Sequence, residues 1–497
     1  MTFFEIKGSK LSIVISSLKV GLLSLICAFP IFIHLEKIPI RIWDESRLCI
    51  NAYEMLKNNN WLITYFEGKP DMWNTKPPLM IWMQVLCSKI FGYSELAMRL
   101  PSAIAAFLLV LFLSYFAKRY LKNFWFGLIT CIVLVTSYGF INVHGTRTGD
   151  YDSLLCLFLV AYSLSYFLYL EQKNKRDLIF FFIALILAVM TKSIQGLLFL
   201  PALFIYTLID KKFFIFKDLN VYKGIALFVF AIGAYYLLRE MYNPGYLKAV
   251  WENELGGRYM NTVEEHTGEF LFYYNMLLKH HFKEWIWLVP IGFIIGISFR
   301  NIRLRKLSYF SALISLSYWL IISISKTKLE WYEIPLFPFL AMIIAMGIFG
   351  IFYYLLIEPK LKTIFLFPVM SFLFLISLSY VPYTKMVDKV YLPKEYPWDE
   401  EFYQLSYYLK HALGKLEETR AYNICYDGYH AHILFYLNQL NDLGQQIGFK
   451  DWVFLEKGDL IIACQSNVKQ YIEQYYIYEL LSENKTIKKY RIIDLKC

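Results

Sequence analysis

The chain is 497 residues long, 58% hydrophobic and only 18% charged, a balance outside that of soluble globular proteins. Its formal net charge of +10 does not mark a nucleic-acid binder, because the basic residues form short clusters between apolar runs and no continuous basic face. Lipid is the expected solvent for most of this sequence.

Taken in order, apolar runs at Leu11–His34, Leu100–Ala117, Phe124–Val143, Ser153–Leu170, Leu178–Met190, Gln195–Ile209, Gly224–Met241, Trp285–Phe299, Leu307–Ser325, Ile334–Ile357 and Ile364–Val381 predict about eleven crossings. The runs at Leu178 and Gln195 are short. Lys7 and Lys10 precede the first run, whose length and lack of a small-residue cleavage site favour a retained span with the N-terminus in the cytoplasm. Threading the chain from there collects Lys118, Arg119 and Lys122, then Lys173, Lys175 and Arg176, then Lys211, Lys212 and Lys217 on the inner side. Arg300, Arg303, Arg305, Lys306, Lys360 and Lys362 follow them, as cytoplasmic loops require. The run Pro78–Phe91 then begins and ends outside and reads as an interfacial or re-entrant helix.

Three outer regions are long enough to hold structure: residues 35–99, residues 242–284 and the tail. The tail begins after Val381, where Pro382, Pro393 and Pro397 mark a linker, and reads as a small α/β domain. Phe402–Leu413 and Val468–Leu481 have helical spacing; Ala421–Tyr426, Asp459–Cys464 and Lys488–Leu495 read as strands. The expected division is therefore a membrane domain at 1–382 and an extracytoplasmic domain at 383–497. His430 and His432 near Asp427 read as structural and not as a metal site. Cys27, Cys131 and Cys156 fall in spans; Cys49, Cys87, Cys425, Cys464 and Cys497 fall outside them without CxxC spacing, so no zinc site is implied. A Cys425–Cys464 disulfide is one option that spacing alone does not establish.

Chemistry-bearing residues collect on the outer side. The first outer loop holds Trp43-Asp44-Glu45-Ser46-Arg47 and Asn74-Thr75-Lys76-Pro77-Pro78; the next holds Thr146-Arg147-Thr148-Gly149-Asp150-Tyr151-Asp152. Asp44 and Glu45 alone read as solvated loop charges, and Asp152, against an apolar run, as a helix N-cap or a carboxylate kept there for a partner. Lys192, Arg258, Lys326 and Lys328, the last two close to Tyr332, break the rule that outer loops are poor in cations. Singly, each reads as a lysine or arginine reaching for lipid headgroups; as a set they suit an anionic group held at the membrane surface, such as the phosphate of a lipid carrier.

The series Trp43-Asp44-Glu45-Ser46-Arg47, Thr75-Lys76-Pro77-Pro78, Asp150-Tyr151-Asp152-Ser153, Met190-Thr191-Lys192 and Ser325–Tyr332 resembles the GT-C glycosyltransferases. Within them it is similar to the bacterial 4-amino-4-deoxy-L-arabinose (lipid A) transferases and the dolichyl-phosphate-mannose protein mannosyltransferases. That resemblance implies a GT-C fold and an inverting transferase that moves a sugar from a polyprenyl-phosphate carrier to a lipid, glycan or protein acceptor. The reaction would lie on the outer face of a bacterial inner membrane. It also implies Asp44 as general base, with Glu45, Asp150 and Asp152 as further acidic candidates. Arg47, Lys76, Lys192, Arg258, Lys326, Lys328 and Tyr332 are implied around the donor phosphate. No cofactor is fixed by it. Some relatives hold a divalent metal, but Thr75 and Leu255 stand where the lipid A branch has Glu and His, so no metal ligands are assigned.

Such residues suit the chemistry, since displacing a lipid phosphate from an anomeric carbon requires cations on the departing phosphate and a base for the acceptor proton. A lipid-linked sugar transporter or flippase is the rival from another class. It would place its charges at mid-span, whereas these cluster in loops on one side. A surface-glycan ligase differs in acceptor more than in reaction.

Overall fold

The computed structural model describes residues 10–256, 267–357 and 366–496. Lys7, Arg258, Lys360, Lys362 and Cys497 lie outside the described residues. The chain packs into two compact units, one of Met1–His34, Met72–Met80 and Leu100–Tyr391, the other of Leu35–Asp71, Ile81–Arg99 and Leu392–Cys497.

The first unit is helical, as a chain in lipid must be when every backbone N–H and C=O needs an internal partner. Each of the eleven apolar runs carries helix. Six helices of the described residues are long and apolar enough to cross a membrane: Glu95–Leu121, Asp152–Gln172, Lys175–Leu197, Leu219–Tyr242, Ile302–Ile324 and Glu330–Phe352. Ser17–Phe32, Phe124–Val135, Leu200–Ile209 and Leu288–Ser298 are apolar but shorter. The protein is thus a multi-pass integral membrane protein.

Burial sorts these helices by place. Asp152–Gln172 is apolar all round and has 94% of its apolar window buried, as a central helix should, whereas Leu219–Tyr242 has only 6% buried and turns Leu227, Val229, Phe230 and Leu237 outward. Asp152–Gln172 and Lys175–Lys192 form an antiparallel hairpin. Lys173 closes the first helix in a left-handed conformation, and the side chain of Asn174 caps the second by accepting from Arg176 N at 3.0 Å. The hairpin brings the first turn of one helix beside the last turn of the other. The site is built on that junction.

The second unit joins the tail to much of the first outer loop. Its helix Asp44–Asn58 packs on the helix Ala431–Asp442, and Tyr53 and Lys57 bond Asp442 at 2.9 and 2.7 Å. A four-stranded sheet runs in the order Asn423–Cys425, Leu460–Ala463, Ile487–Leu495, Tyr476–Asn484, parallel in its first pair and antiparallel after it. Helix and strands stand where the tail was expected to have them, with two corrections, the first being that Pro382 marks no linker but lies inside the helix Leu366–Tyr391. The predicted helix Val468–Leu481 is a helix only over Ser466–Tyr475; from Tyr476 the chain turns into a strand, where Tyr476 and Tyr478 fit a pleated surface better than a helix. Cys425 and Cys464 are free thiols. Cys425 is in register with Ala463, so Cys464, one residue on, faces the other side of the sheet. Helix Leu79–Phe91 has 13 residues, too few to span, and leaves Leu86, Ile90 and Phe91 exposed.

Candidate active site

In the first unit, the loop between the helices Phe124–Val135 and Asp152–Gln172 folds tightly around Asn142–Asp150. Thr146 N donates to Phe140 O at 3.2 Å and Arg147 N to Asn142 O at 3.1 Å. Position 145 must be glycine, since a Cβ there would stand 2.3 Å from Phe140 O. Arg147 is spent on structure, donating to Ile31 O and His34 O at the end of the first helix. Thr148 links His144 N to the Asp150 carboxylate, and Ser102 fixes the Asp150 carbonyl at 2.8 Å.

Asp152 opens the next helix but makes no capping bond. Its Oδ1 instead accepts from Lys192 Nζ at 2.6 Å, with each side chain only 4% exposed. The acid lies in the first turn of one helix and the lysine in the last turn of its neighbour, so both charges sit where the helix dipoles favour them. Lys192 also stands over the Tyr332 ring, 5.5 Å from its centroid.

A second buried pair lies in the same unit. Lys76 Nζ is 3.3 Å from Glu254 Oε1, and the side chains are 7% and 2% exposed. The loop carrying Lys76 is held by Asn74, whose amide exchanges bonds with Tyr151 Oη, and by Tyr246 Oη, which donates to Thr75 O at 2.7 Å. Tyr151 thus couples this loop to the turn that carries Asp150 and Asp152. Glu254 and Tyr332 line one cleft together with Gln195, Ser325 and the apolar side chains of Ile194, Leu198 and Ile322. The cleft is thus apolar along much of its wall, and its residues Glu254 and Tyr332 are those that Lys76 and Lys192 face.

His144 stacks on Trp331 with ring centroids 3.5 Å apart. Its Nδ1 has no hydrogen-bond partner and lies 3.5 Å from Asp150 Oδ2 and 3.8 Å from Asp152 Oδ2. His144 and Asp150 belong to the ligand types that hold a divalent cation, and the imidazole nitrogen turned toward the Asp150 carboxylate is the observation that fits one.

Two non-glycine residues beside these groups have positive φ: His144 at 61° and Ser193 at 50°. Each such conformation costs on the order of 1–3 kcal/mol, and such strain clusters at functional sites.

Residues 75–237 match the family described as dolichyl-phosphate-mannose-protein mannosyltransferase. An undecaprenyl phosphate-alpha-4-amino-4-deoxy-L-arabinose arabinosyl transferase of Erwinia tasmaniensis is 26% identical over 340 residues, 65% of this chain and 58% of the relative. One from Edwardsiella ictaluri is 24% identical over 314 residues, 61% of this chain and 54% of that protein. The chain spans less than two thirds of the length of these curated relatives. Among solved structures, ArnT from Cupriavidus metallidurans bound to undecaprenyl phosphate is 15% identical with a TM-score of 0.70, covering 97% of this chain and 98% of that one. The chain has the GT-C fold. The archaeal oligosaccharyltransferase AglB from Archaeoglobus fulgidus, in complex with an inhibitory peptide and a dolichol-phosphate, shares it at a TM-score of 0.52 and 10% identity. That match covers 97% of this chain and 74% of the other.

Within this fold the candidate residues have different employments. Lys76, Lys192, Asp150, Asp152 and Tyr332 belong to the first unit and gather as described. Lys328 also belongs to it, but its ammonium donates to the carbonyls of Ile322, Ser323 and Ser325, closing the helix Ile302–Ile324. All three of its protons are used, and burial lowers its pKa. Lys326 is exposed.

Asp44, Glu45 and Arg47 belong to the second unit. Glu45 is 1% exposed and takes a two-pronged bond from Arg99 at 2.7 and 2.9 Å and another from Arg41 N at 2.7 Å, the pattern of a strut. Arg47 is held by both oxygens of Asp71 at 2.8 and 2.7 Å and lies over the Phe66 ring. Burial opposes its charge, but the Asp71 bonds outweigh that and raise its pKa. Asp44 stands at the start of its helix, after Trp43, which stacks on Tyr429 at 4.8 Å.

Glu254 and His144 were missed by the sequence reading. Glu254 carried no motif; its signal was an acid among the exposed middle-loop charges that only the Lys76 contact singles out. His144 stands six residues before Asp150 in a turn-rich stretch, and that proximity was the available clue.

Proposed function

We propose that the protein is an inverting glycosyltransferase that takes its sugar from a polyprenyl-phosphate carrier and delivers it to a lipid, glycan or protein acceptor on the outer face of a bacterial inner membrane. The observation that carries this reading is the pair of buried lysines, Lys76 and Lys192, in a fold shared with a protein solved with undecaprenyl phosphate. Burying a lysine with its carboxylate is costly, and an anionic ligand held by both lysines offsets part of that cost.

In the reaction, Lys76 and Lys192 neutralise the charge that grows on the departing phosphate, an effect commonly worth several kcal/mol. Tyr332 is positioned against Lys192 to complete that end. Asp44, by resemblance to the family, takes the proton from the acceptor on the face opposite the leaving group, so that one in-line displacement inverts the anomeric centre. Asp150 and Asp152 orient this machinery through Thr148 and Lys192. His144 and Asp150 would help to hold a divalent cation, which supplies further positive charge when bound.

Lipid A is one acceptor that the resemblance implies, and a protein is another. Transfer from an undecaprenyl-phosphate sugar by the purified protein in vesicles tests the reading. Asp44→Asn should lower turnover by at least the 10²–10⁴ that a general base supplies while the protein stays folded. Near-normal turnover by this variant would move the base elsewhere.

A further inference from the structure

The first unit contains a second cavity of about 140 Å³ that the phosphate reading leaves unused. Its volume is roughly ten times the 10–15 Å³ that one water requires. Gly139 N donates to His281 O at 3.0 Å and so holds the turn after Phe124–Val135 directly on the middle loop; a Cβ at 139 would collide with His281 at 2.7 Å. The cavity opens beside that seam.

Its lining is polar on one side and aromatic on another. His281 is 8% exposed; its Nδ1 is 2.5 Å from Oε1 of the fully buried Glu333, and its Nε2 is 3.8 Å from Glu330 Oε2. That last distance is too long for a hydrogen bond but suits one bridging oxygen between the two groups. Asn142 Oδ1 accepts from Lys389 at 3.0 Å, which leaves its amide N–H groups to meet a ligand. Trp331, backed by His144, supplies the flat apolar side, and Ile334 closes the end.

We propose that this cavity is a sugar subsite, in which one ring hydroxyl bridges His281 Nε2 and Glu330 while the ring lies against Trp331. A hydroxyl both donates and accepts, so it satisfies the gap whichever nitrogen of His281 carries the proton. An ammonium or phosphate satisfies it less well: the ammonium accepts nothing, and the phosphate meets the Glu330 carboxylate. Burial pushes His281 down to about 4, so the ring is neutral at neutral pH and adds no charge to attract an anion. The inference rests on the transferase reading, and the sugar could arrive on either the carrier or the acceptor.

Calorimetry on the full-length protein in nanodiscs separates these sources, using undecaprenyl phosphate and the same carrier bearing 4-amino-4-deoxyarabinose, mannose or glucose. Glu330→Gln and Trp331→Leu are the variants, with His281→Gln as a third where it folds. If the carrier brings the sugar, the variants lose at least tenfold in affinity for the sugar-bearing carrier that wild type prefers, and keep their affinity for the bare one. If the acceptor brings it, both carriers bind as in wild type and KM for the acceptor glycan rises at least tenfold. Unchanged carrier affinities together with an unchanged acceptor KM overturn the proposal. A wild-type protein that binds no carrier sinks the donor reading instead. The subsite is then judged by saturation-transfer NMR with free monosaccharides, where transfer lost in Glu330→Gln supports it and transfer unchanged contradicts it.

Discussion

The first unit holds two sets of lysine–carboxylate contacts built on opposite plans. At the basic-loop end, Lys212 and Lys306 both face Glu171 and Asp210, with four contacts of 2.8 to 3.4 Å and side chains 14–22% exposed. At the candidate site, Lys192 faces Asp152 and Lys76 faces Glu254, with every one of these side chains at most 7% exposed. In the square every charge has two neighbours of opposite sign and some water, so losing one leaves the others served. At the candidate site a lost partner leaves a charge that water reaches far less easily. A fold that needed only fastening would use the first plan; the second makes sense where a ligand's charge completes the balance.

The sharpest way to break this comparison is Lys192→Met. Stranding Asp152 should cost about 3–5 kcal/mol of stability, read as the denaturation midpoint in detergent. Adding Asp152→Asn should restore much of that stability without restoring turnover. If the double variant were as active as wild type, the pair would be a fastener like the square.

The second unit offers a buried ionisable group that took neither plan. His432 is fully buried among Phe402, Tyr403 and Tyr426, and neither ring nitrogen has a hydrogen-bond partner among the described residues. Desolvation, with a smaller push from His430, lowers its pKa to about 3. A histidine lowered on folding binds fewer protons folded than unfolded, so its stabilisation is complete above the unfolded value near 6.5 and is lost as pH falls toward 3. His432→Phe should flatten the acid limb of a melting profile between those values. An unchanged profile would mean that the ring is hydrated and not buried in the native protein.

A smaller effect is expected at the basic end. Lys306→Met leaves Lys212 on both carboxylates and should cost about 1 kcal/mol or less, while carrier affinity stays at the wild-type value. A loss as large as that of Lys192→Met would erase the distinction between the two plans.

Much of this was legible in the sequence, and the exceptions share a physical cause. Apolar runs located all eleven helical stretches because lipid-facing and core-facing helices alike must be apolar. The run Phe124–Val143 overshot, since its helix ends at Val135 and the apolar residues beyond it pack a buried turn. Lysines were harder. Lys192 and Lys328 both follow or end an apolar helix, and nothing local distinguishes one aimed at a carboxylate from one that closes its own helix. The structural partners of Glu45 and Arg47 were hidden for the same reason: Arg99 and Asp71 lie 54 and 24 positions away. Composition and period read the solvent; pairing over such distances is set by the fold.

The central claim is that Lys76 and Lys192 together serve one phosphate. Calorimetry of undecaprenyl phosphate binding to wild type, Lys76→Ala, Lys192→Ala and the double variant tests it most directly, with Asp152→Asn and Glu254→Gln added to keep the proteins folded. Each single change should weaken binding by roughly 1.5–3 kcal/mol, the range of a hydrogen bond to a charged group, and the double should lose less than their sum. Wild-type affinity in both single variants would contradict the claim and leave the two pairs as internal struts.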